Sequence, residues 1–341
     1  MIGYLAVAMY LAGQTPAPPP EPAAPGSVVE QMKTEATAMT AQVESPLAKE
    51  FLSGFQCLPP LSATRAVHYN KETRDALSDK VAKGMTEEQL KGYAKRDLDE
   101  QFFYLTRYGT PVAFTRPMEI LGRAGVKKVD GLKIVDFGYG SIGQLRAMAS
   151  LGADATGIEV DPLLKVLYSD AADTGKIKRC DAAGKGRNGN VKLVFGQFPA
   201  DAATVSEVGK GYDVFVSKNT LKHGYIHPEQ DVDPRMLVHL KVDDEAFVKS
   251  VYDVLKPGGF ALIYNLSPAP AKEGEPYKPW ADGRSPFARE VYERVGFKVL
   301  EFDADDSVAA RQMGKALGWA DSGMDLEADL FGHYTLVRKP Q

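Results

Sequence analysis

The chain has 341 residues, of which 44% are hydrophobic and 25% charged, and its formal net charge is −4. These values are typical of a globular protein with a sizeable core, built from one main domain with additions. The acidic balance argues against a protein dedicated to nucleic acid, which usually has a basic face. Two cysteines, Cys57 and Cys180, exclude a disulfide-rich scaffold and an all-cysteine zinc cluster. A single disulfide between them is compatible with the sequence, but we expect two unpaired thiols.

The first residues bear on location. Residues 2–12 (IGYLAVAMYLA) form an apolar run that is too short to span a bilayer but has the length of a signal-peptide core. A proline-rich linker, residues 14–26, follows. A basic start and a small-residue cleavage site are both missing. We expect export, with a cytoplasmic protein carrying a disordered leader as the alternative, and no stable membrane span.

Residues 27–120 are predicted to form a helical N-terminal subdomain, because helix formers predominate and apolar residues recur at helical spacing. It ends in the segment 104–117 (YLTRYGTPVAFTRP), in which Gly109-Thr110-Pro111 is expected to break the helix. The residues that carry the helical spacing are Val29, Met32, Ala36, Leu90, Tyr93, Leu98 and Phe102.

Residues 121–341 are predicted to form an α/β domain, because strands and helices alternate from Lys133 onward. The predicted strands are 133–137, 155–159, 191–195, 213–217, 260–265, 297–302 and 333–338, with a helix near 308–317. The run 176–190, rich in glycine and lysine, is predicted to be a surface excursion.

A glycine-rich turn follows the first of these strands. Gly138, Gly140 and Gly143 spell GxGxxG, a pattern also found in dinucleotide-binding dehydrogenases and weak on its own. Glu159, about 20 residues further on, is placed to accept hydrogen bonds from the two hydroxyls of a ribose. Asp136, two residues before Gly138, is suited to bind the amino end of an amino-acid-like ligand. The segment therefore predicts an adenine-nucleoside site.

With the further segments GIEVDP and VLKPGGFALIYNL, the chain resembles the class I S-adenosylmethionine-dependent methyltransferase family over residues 104–339. The resemblance implies a Rossmann-like sheet of seven strands in the order 3-2-1-4-5-7-6. Its one antiparallel strand would be 333–338. It also implies S-adenosyl-L-methionine as cofactor and transfer of a methyl group to an oxygen or nitrogen atom of a small molecule.

The resemblance also assigns cofactor-binding residues by their motif positions. Asp136, Gly138 and Gly140 would line the methionine part, and Tyr139 and Gly143 of the same turn are also expected to bind the cofactor. Glu159 would bind the ribose, and Ser217 ends the fourth strand. Gln197 falls where the family often has an aspartate facing the adenine amino group, so recognition there would use the amide oxygen. A second departure is that Ile142 occupies the family's more common third glycine position.

The loop after strand 213–217 is predicted to carry the chemistry, because ligands of parallel sheets bind beyond the carboxyl ends of the strands. It contains neither an Asn-Pro-Pro-aromatic tetrad nor a cysteine. A hydroxyl or amine acceptor needs a base with a pKa near the working pH, which favours His223 or His227. Tyr225 and Asn219 would position the acceptor.

Two alternatives to a catalytic role remain for the histidines. They could hydrogen-bond the loop to the domain, or they could bind a divalent ion together with Asp231 and Asp233. The segment 267–287, with Tyr277, Trp280, Arg284 and Phe287, forms a second wall over a small substrate or a plain surface loop. Tyr108 and Phe114 are expected to cover the cofactor from the N-terminal side.

Two other functions also remain open. One is an NAD(P)-dependent oxidoreductase that uses the same turn, and the other is a protein that binds a nucleoside or a partner without catalysis. The acceptor and the oligomeric state are not specified by the sequence.

Overall fold

The computed structural model describes residues 27–180 and 186–341, so the predicted leader and linker lie outside the described residues. Residues 27–123 begin and end with helices. The helices are α1 (Val28–Met39), α2 (Pro46–Ser53), α3 (Asp79–Ala82), α4 (Glu100–Leu105) and α5 (Thr115–Arg123), with 3-10 turns at Thr40–Gln42, Gly54–Cys57 and Pro111–Phe114. Side-chain caps fix the starts of the first two helices: Ser27 Oγ accepts from Val29 N, and Ser45 Oγ accepts from Ala48 N.

Between these helices lies a small antiparallel sheet, which corrects the helical prediction for residues 65–98. Its strands are β1 (Arg65–Asn70), β2 (Asp75–Ser78) and β3 (Tyr93–Leu98), in the order β2-β1-β3. The apolar positions Tyr93 and Leu98 fit a helical spacing by coincidence. The segment Tyr93–Leu98 instead pairs along its whole length with β1, and cross-strand pairing outweighs a short helical pattern.

The main sheet has eight strands. They are β4 (Lys133–Phe137), β5 (Asp154–Glu159), β6 (Gly175–Ile177), β7 (Gly189–Phe195), β8 (Tyr212–Lys218), β9 (Leu255–Ser267), β10 (Lys298–Asp305) and β11 (Phe331–Arg338). Their order is β10-β11-β9-β8-β4-β5-β7-β6. Seven of them have the predicted order 3-2-1-4-5-7-6, and β11 is antiparallel to its neighbours as predicted. Strand β6, antiparallel to β7 at the sheet edge, is an addition that overlaps the start of the predicted surface excursion.

Helices cover both faces of this sheet. They are α6 (Gly143–Ser150), α7 (Pro162–Leu167), α8 (Ala202–Val208), α9 (His223–Ile226), α10 (Asp244–Val254), α11 (Arg289–Val295), α12 (Ser307–Ala316) and α13 (Leu326–Asp329), with 3-10 turns at Pro234–Met236 and Pro279–Ala281. Alternate residues of each central strand feed two apolar cores: Ile134 and Val216 pack with the N-terminal helices, whereas Val135 and Phe215 pack with α10. Within the described residues, every helix is too short or too polar to span a bilayer.

The N-terminal part is tied to the main sheet by a buried ion pair. Arg116 donates from Nε and a terminal nitrogen to the two oxygens of Asp306, at 2.9 and 2.6 Å. Tyr264 Oη on β9 donates to the same carboxylate at 3.0 Å. Since these residues come from α5, β9 and the start of α12, one network joins distant parts of the chain.

Cys57 and Cys180 form a disulfide, so the expectation of two unpaired thiols is wrong. Their sequence separation of 123 residues gives no local sign of pairing. The N-terminal helices fold back over the sheet, and the turn Gly54–Cys57 approaches α6 so closely that a Cβ on Gly54 would lie 2.4 Å from Ala147 O. This contact brings the two Cα atoms to 5.8 Å, within the range that a disulfide needs.

Candidate functional site

Side chains from the loop after β8 and from the N-terminal part pack against the glycine turn after β4. Gly138 and Gly140 have φ values of +70° and +60°, which L side chains rarely adopt. A Cβ on Gly138 would lie 2.2 Å from Thr220 Oγ1, and one on Gly140 would lie 2.8 Å from the Tyr108 ring. Thr106 Oγ1 donates to Gly140 O at 3.0 Å. Both glycines are therefore required by conformation and by close approach of neighbouring side chains.

Asp136 lies at the carboxyl end of β4 and is only 1% exposed. Burial raises the pKa of its carboxyl to about 7, and the hydrogen bond from Gln144 opposes this shift. Gln144 Nε2 donates to Asp136 Oδ2 at 3.1 Å and to Tyr139 O at 2.7 Å. Gln144 Oε1 has no hydrogen-bond partner among the described residues. A carboxylate held in this way is suited to receive a cationic amino group.

Glu159 ends β5 beside the same turn. Because Asp136 pairs with Gly157 in the parallel register, Glu159 lies on the same face of the sheet as Asp136. Its Oε1 accepts from Val160 N at 2.8 Å and Asp161 N at 3.3 Å, while burial raises its pKa. Two carboxylates thus flank the glycine turn, which is the arrangement that the sequence predicts.

Two other predicted turn residues have packing contacts. The Tyr139 ring points into the core against Tyr168, with ring centroids 6.1 Å apart, and its hydroxyl has no partner among the described residues. Gly143 opens α6, where a Cβ would lie 2.4 Å from Pro111. Any contact of Tyr139 with a ligand would therefore come from its main chain, and Gly143 admits the N-terminal segment.

Three further predicted residues lie at the ends of β7 and β8. Gln197 Nε2 donates to His239 O at 2.6 Å, which leaves the amide oxygen to accept from an adenine amino group. Ser217 is fully buried, and its Oγ accepts from Leu221 N at 3.4 Å. Asn219 Oδ1 accepts from Leu266 N at 2.7 Å. The contacts of Ser217 and Asn219 therefore hold the strand ends together, whereas the Gln197 amide oxygen accepts no hydrogen bond within residues 27–180 and 186–341.

The two predicted walls form one continuous wall. Lys222 Nζ, after β8, donates to Leu266 O at 2.6 Å and Trp280 O at 3.1 Å. His223 Nδ1 and Asp282 Oδ2 are hydrogen-bonded at 2.8 Å. Loop 219–235 and segment 267–287 therefore support each other, and Asp282 orients the His223 ring.

The second histidine has different surroundings. His227 Nε2 lies 2.9 Å from Asp244 Oδ1 at the start of α10, and its side chain is 45% exposed. Tyr225 lies between the two histidines in sequence, 5.4 Å from Lys222 Nζ at its ring centroid. Burial raises the pKa of Tyr225, and nearby Tyr108 raises it further. The Tyr108 ring lies against Gly140 of the glycine turn.

The alternative metal set of His223, His227, Asp231 and Asp233 is not assembled in the part of the chain that the structure describes. Within the described residues, His223 is close to Glu229 and Asp282, with ligand atoms within 4.8 Å of one another. Arg284 pairs with both carboxylates, each at 2.6 Å, and so neutralises them. His227 is instead bonded to Asp244, and Asp233 to Arg235. This chemistry is that of a salt-bridge cluster.

Two aromatic residues predicted to cover the site are core residues. Phe114 is 2% exposed and packs against Phe51, and Phe287 is 1% exposed and packs against Phe247. Trp280 and Tyr277 are partly buried in the second wall. Tyr108, by contrast, lies on the glycine turn and is 48% exposed.

Lys218, for which the sequence suggested no role, lies at the carboxyl end of β8. Burial lowers the pKa of its ammonium to about 8, and the charge of Asp136 opposes the shift. Burial also lowers the pKa of Lys222 to about 7. The sequence signal for Lys218 is a charged residue directly after the buried run of β8, on a strand next to the glycine turn.

The sheet order and the glycine turn define a Rossmann-like fold of the class I methyltransferase type. No family model and no curated protein matches the chain. Solved structures to which it is similar include phosphoethanolamine N-methyltransferase 2 of Haemonchus contortus, with 14% identity, 86% of this chain and 74% of that chain covered, and a TM-score of 0.38. A methyltransferase of Mesorhizobium loti shares 17% identity, with 67% and 99% covered and a TM-score of 0.37.

The cyclase SpnF is a third such structure, with 20% identity, 62% and 75% covered and a TM-score of 0.35. Similarity at this level carries no functional argument. The function is therefore inferred from the sheet topology and the side chains of this chain.

Proposed function

We propose that the protein is an S-adenosylmethionine-dependent methyltransferase acting on an oxygen or nitrogen atom of a small-molecule acceptor. The observation that carries this proposal is the placement of Asp136 and Glu159 on one face of the sheet, on either side of a glycine turn with positive φ angles. Asp136 is suited to the amino group of the methionine part and Glu159 to the ribose hydroxyls. Gln197 offers its amide oxygen to the adenine.

The cofactor supplies an activated methyl group on a sulfonium, so the protein has to align the acceptor and remove a proton where the acceptor carries one. His223 is the residue best supported for the proton, because Asp282 fixes its ring through Nδ1 and leaves Nε2 for an acceptor. In this proposal Tyr225, which follows His223 by two residues, and Tyr108, whose ring lies against Gly140, contact the acceptor. His227 is assigned to structure, because Asp244 holds it at the surface.

A binding experiment separates this proposal from the oxidoreductase alternative. S-adenosylhomocysteine, NAD⁺ and NADP⁺ are titrated by calorimetry into the wild type, Glu159→Ala and, as a control, Glu290→Ala on the exposed side of α11. We expect the wild type and the control to bind S-adenosylhomocysteine, and Glu159→Ala to bind it about 5- to 100-fold more weakly, the effect of losing hydrogen bonds to a charged group. Binding of a nicotinamide dinucleotide in preference would contradict the proposal.

Turnover distinguishes an enzyme from a protein that only binds the nucleoside. Radiolabelled S-adenosylmethionine is incubated with pools of hydroxyl- and amine-bearing small molecules. Label transfer that His223→Gln reduces supports the proposed reaction. Binding of S-adenosylhomocysteine without transfer to any pool would favour the non-catalytic alternative.

We infer that the protein resides outside the reducing cytoplasm, where the compartment would have to supply S-adenosylmethionine; this location favours the non-catalytic alternative. The disulfide Cys57–Cys180 supports this location, since disulfides persist in oxidising compartments. The apolar run at residues 2–12 agrees with it. Cell fractionation with N-terminal sequencing of the mature protein tests this proposal, and recovery of an uncleaved, thiol-containing protein from the cytoplasm would contradict it.

A further inference from the structure

Lys218 and Asp136 are opposite charges on neighbouring strands of the site. We propose that the Lys218 ammonium binds the α-carboxylate of the methionine part of the cofactor, while Asp136 binds its α-amino group. This inference rests on the proposed function and extends it, because it assigns to the cofactor a residue at the end of β8.

The register of the sheet places the two residues on one face. Asp136 pairs with Val216 in the parallel ladder between β4 and β8. Lys218 lies two residues beyond Val216, and side chains two residues apart on a strand point to the same side. With a rise of about 3.3 Å per residue and a strand spacing of about 4.8 Å, the Cα atoms of Asp136 and Lys218 are about 8 Å apart. Both side chains therefore border the same space.

The Lys218 charge has no partner of its own in residues 27–180 and 186–341, where it forms no hydrogen bond or ion pair with a side chain or a carbonyl. Asp136 is the opposite charge that acts on it, but the two groups do not form a direct ion pair. Lys222, the other lysine of the site, donates to the carbonyl oxygens of Leu266 and Trp280 and so stabilises the wall. Lys218 is thus the site cation that remains available to a ligand.

A zwitterion satisfies both groups at once. An α-amino acid carries its ammonium and carboxylate on one carbon atom, which suits an anion and a cation that border the same space without pairing with each other. The strand order agrees with this orientation of the ligand. Three neighbouring strands carry the three residues: β5 carries Glu159, β4 carries Asp136, and β8 carries Lys218. The ligand would cross the three strands, with its ribose at β5 and its amino-acid end between β4 and β8.

The test compares a ligand that carries the α-carboxylate with two ligands that lack it. S-adenosylhomocysteine, decarboxylated S-adenosylmethionine and 5′-methylthioadenosine are titrated by calorimetry into the wild type, Lys218→Met, Lys218→Arg and Lys298→Met. The last variant is the control, because Lys298 is exposed at the start of β10, away from the site.

We expect Lys218→Met to weaken S-adenosylhomocysteine binding by about 10- to 50-fold, while binding of the two ligands without a carboxylate changes less than about threefold. Lys218→Arg should restore most of the affinity. Equal weakening of all three ligands would assign Lys218 to structure, and unchanged affinity for all three with lost turnover would assign it to proton transfer. Either result overturns the inference, whereas failure of the wild type to bind any of the three overturns the proposed function itself.

Discussion

The ring of Tyr108 lies against the main chain of Gly140, where a Cβ would approach ring atom Cδ2 to 2.8 Å. Arg107, the preceding residue, pairs with Asp161 at 2.5 Å and places its guanidinium 5.8 Å from the Tyr108 ring centroid. The N-terminal part thereby contributes an aromatic surface to the glycine turn. A nucleoside bound at that turn would contact this ring.

Replacement of Tyr108 by alanine should weaken S-adenosylhomocysteine binding by about 1–2 kcal/mol, because the aromatic contact with the ligand is lost. Tyr108→Phe keeps the ring and should bind within about twofold of the wild type. Calorimetric titration measures both variants. Equal losses in the two variants would show that the hydroxyl, not the ring, makes the contact.

The affinity for S-adenosylhomocysteine should depend on pH through Asp136. Its pKa of about 7 means that the carboxyl is protonated in the free protein at lower pH, and a ligand ammonium requires the ionised form. Affinity should fall about tenfold per pH unit below pH 7 and fall again above pH 8, where Lys218 loses its charge. A pH series of titrations checks both limbs. A flat profile from pH 5.5 to 7 would remove Asp136 from the binding site.

The raised pKa of Asp136 also predicts how the stability of the ligand-free protein depends on pH. Since the folded pKa of Asp136 is raised above its ordinary value of 3.8, its contribution to stability is present below pH 4 and is lost as pH rises toward 7. Asp136→Asn removes this ionisation and should make the ligand-free protein more stable than the wild type at pH 8, by about 1–3 kcal/mol. Urea unfolding at pH 4.5 and pH 8 measures the difference. If Asp136→Asn is less stable than the wild type at pH 8, burial of the ionised Asp136 carboxylate does not destabilise the folded protein, and the prediction is wrong.

Gly138 and Thr220 should be coupled energetically. Gly138→Ala should destabilise the protein by about 2 kcal/mol or more, because φ is +70° and the new Cβ would meet the Thr220 side chain. Thr220→Ala removes the two outer atoms of that contact, so the double variant should recover about 1 kcal/mol relative to additivity. Urea unfolding of the four proteins completes the cycle. Additive effects would show that the strained φ alone sets the cost.

The disulfide should stabilise the protein under oxidising conditions. It closes a loop of more than 100 residues, for which the chain-entropy model gives about 3–5 kcal/mol. Cys57→Ser with Cys180→Ser should unfold at lower urea than the wild type without reductant, and the two should coincide in dithiothreitol. Insensitivity of the wild type to dithiothreitol would show that the cysteines are unpaired.

The parts of the fold predicted from sequence are those specified by local pattern. Strand β4 was predicted at its observed bounds. Its apolar run is followed directly by Gly138, and a glycine at that position indicates a tight turn that ends the strand. The sheet order followed from the family resemblance. Residues 65–98 were predicted as helical, because the pairing of β3 with β1 depends on contacts across more than twenty residues of chain, which no local periodicity records.

The candidate site divides in the same way. Asp136 and Glu159 were identified because the signal is their spacing from the glycines along the sequence. The pairing partners of Asn219, His223 and His227 come from β9, segment 267–287 and α10, and the sequence could not specify them. Lys218 was given no role, since its significance depends on the residue register between β8 and β4, which the sequence does not specify.

The bidentate pair between Arg116 and Asp306 has a consequence for protein engineering. A fragment starting at residue 121 would retain Asp306 and Tyr264 but lose the guanidinium that they share, and one apolar face of its sheet would be uncovered. Such a fragment would be prone to aggregate on expression, so activity and crystallisation trials are best begun with the helices from Val28 onward included.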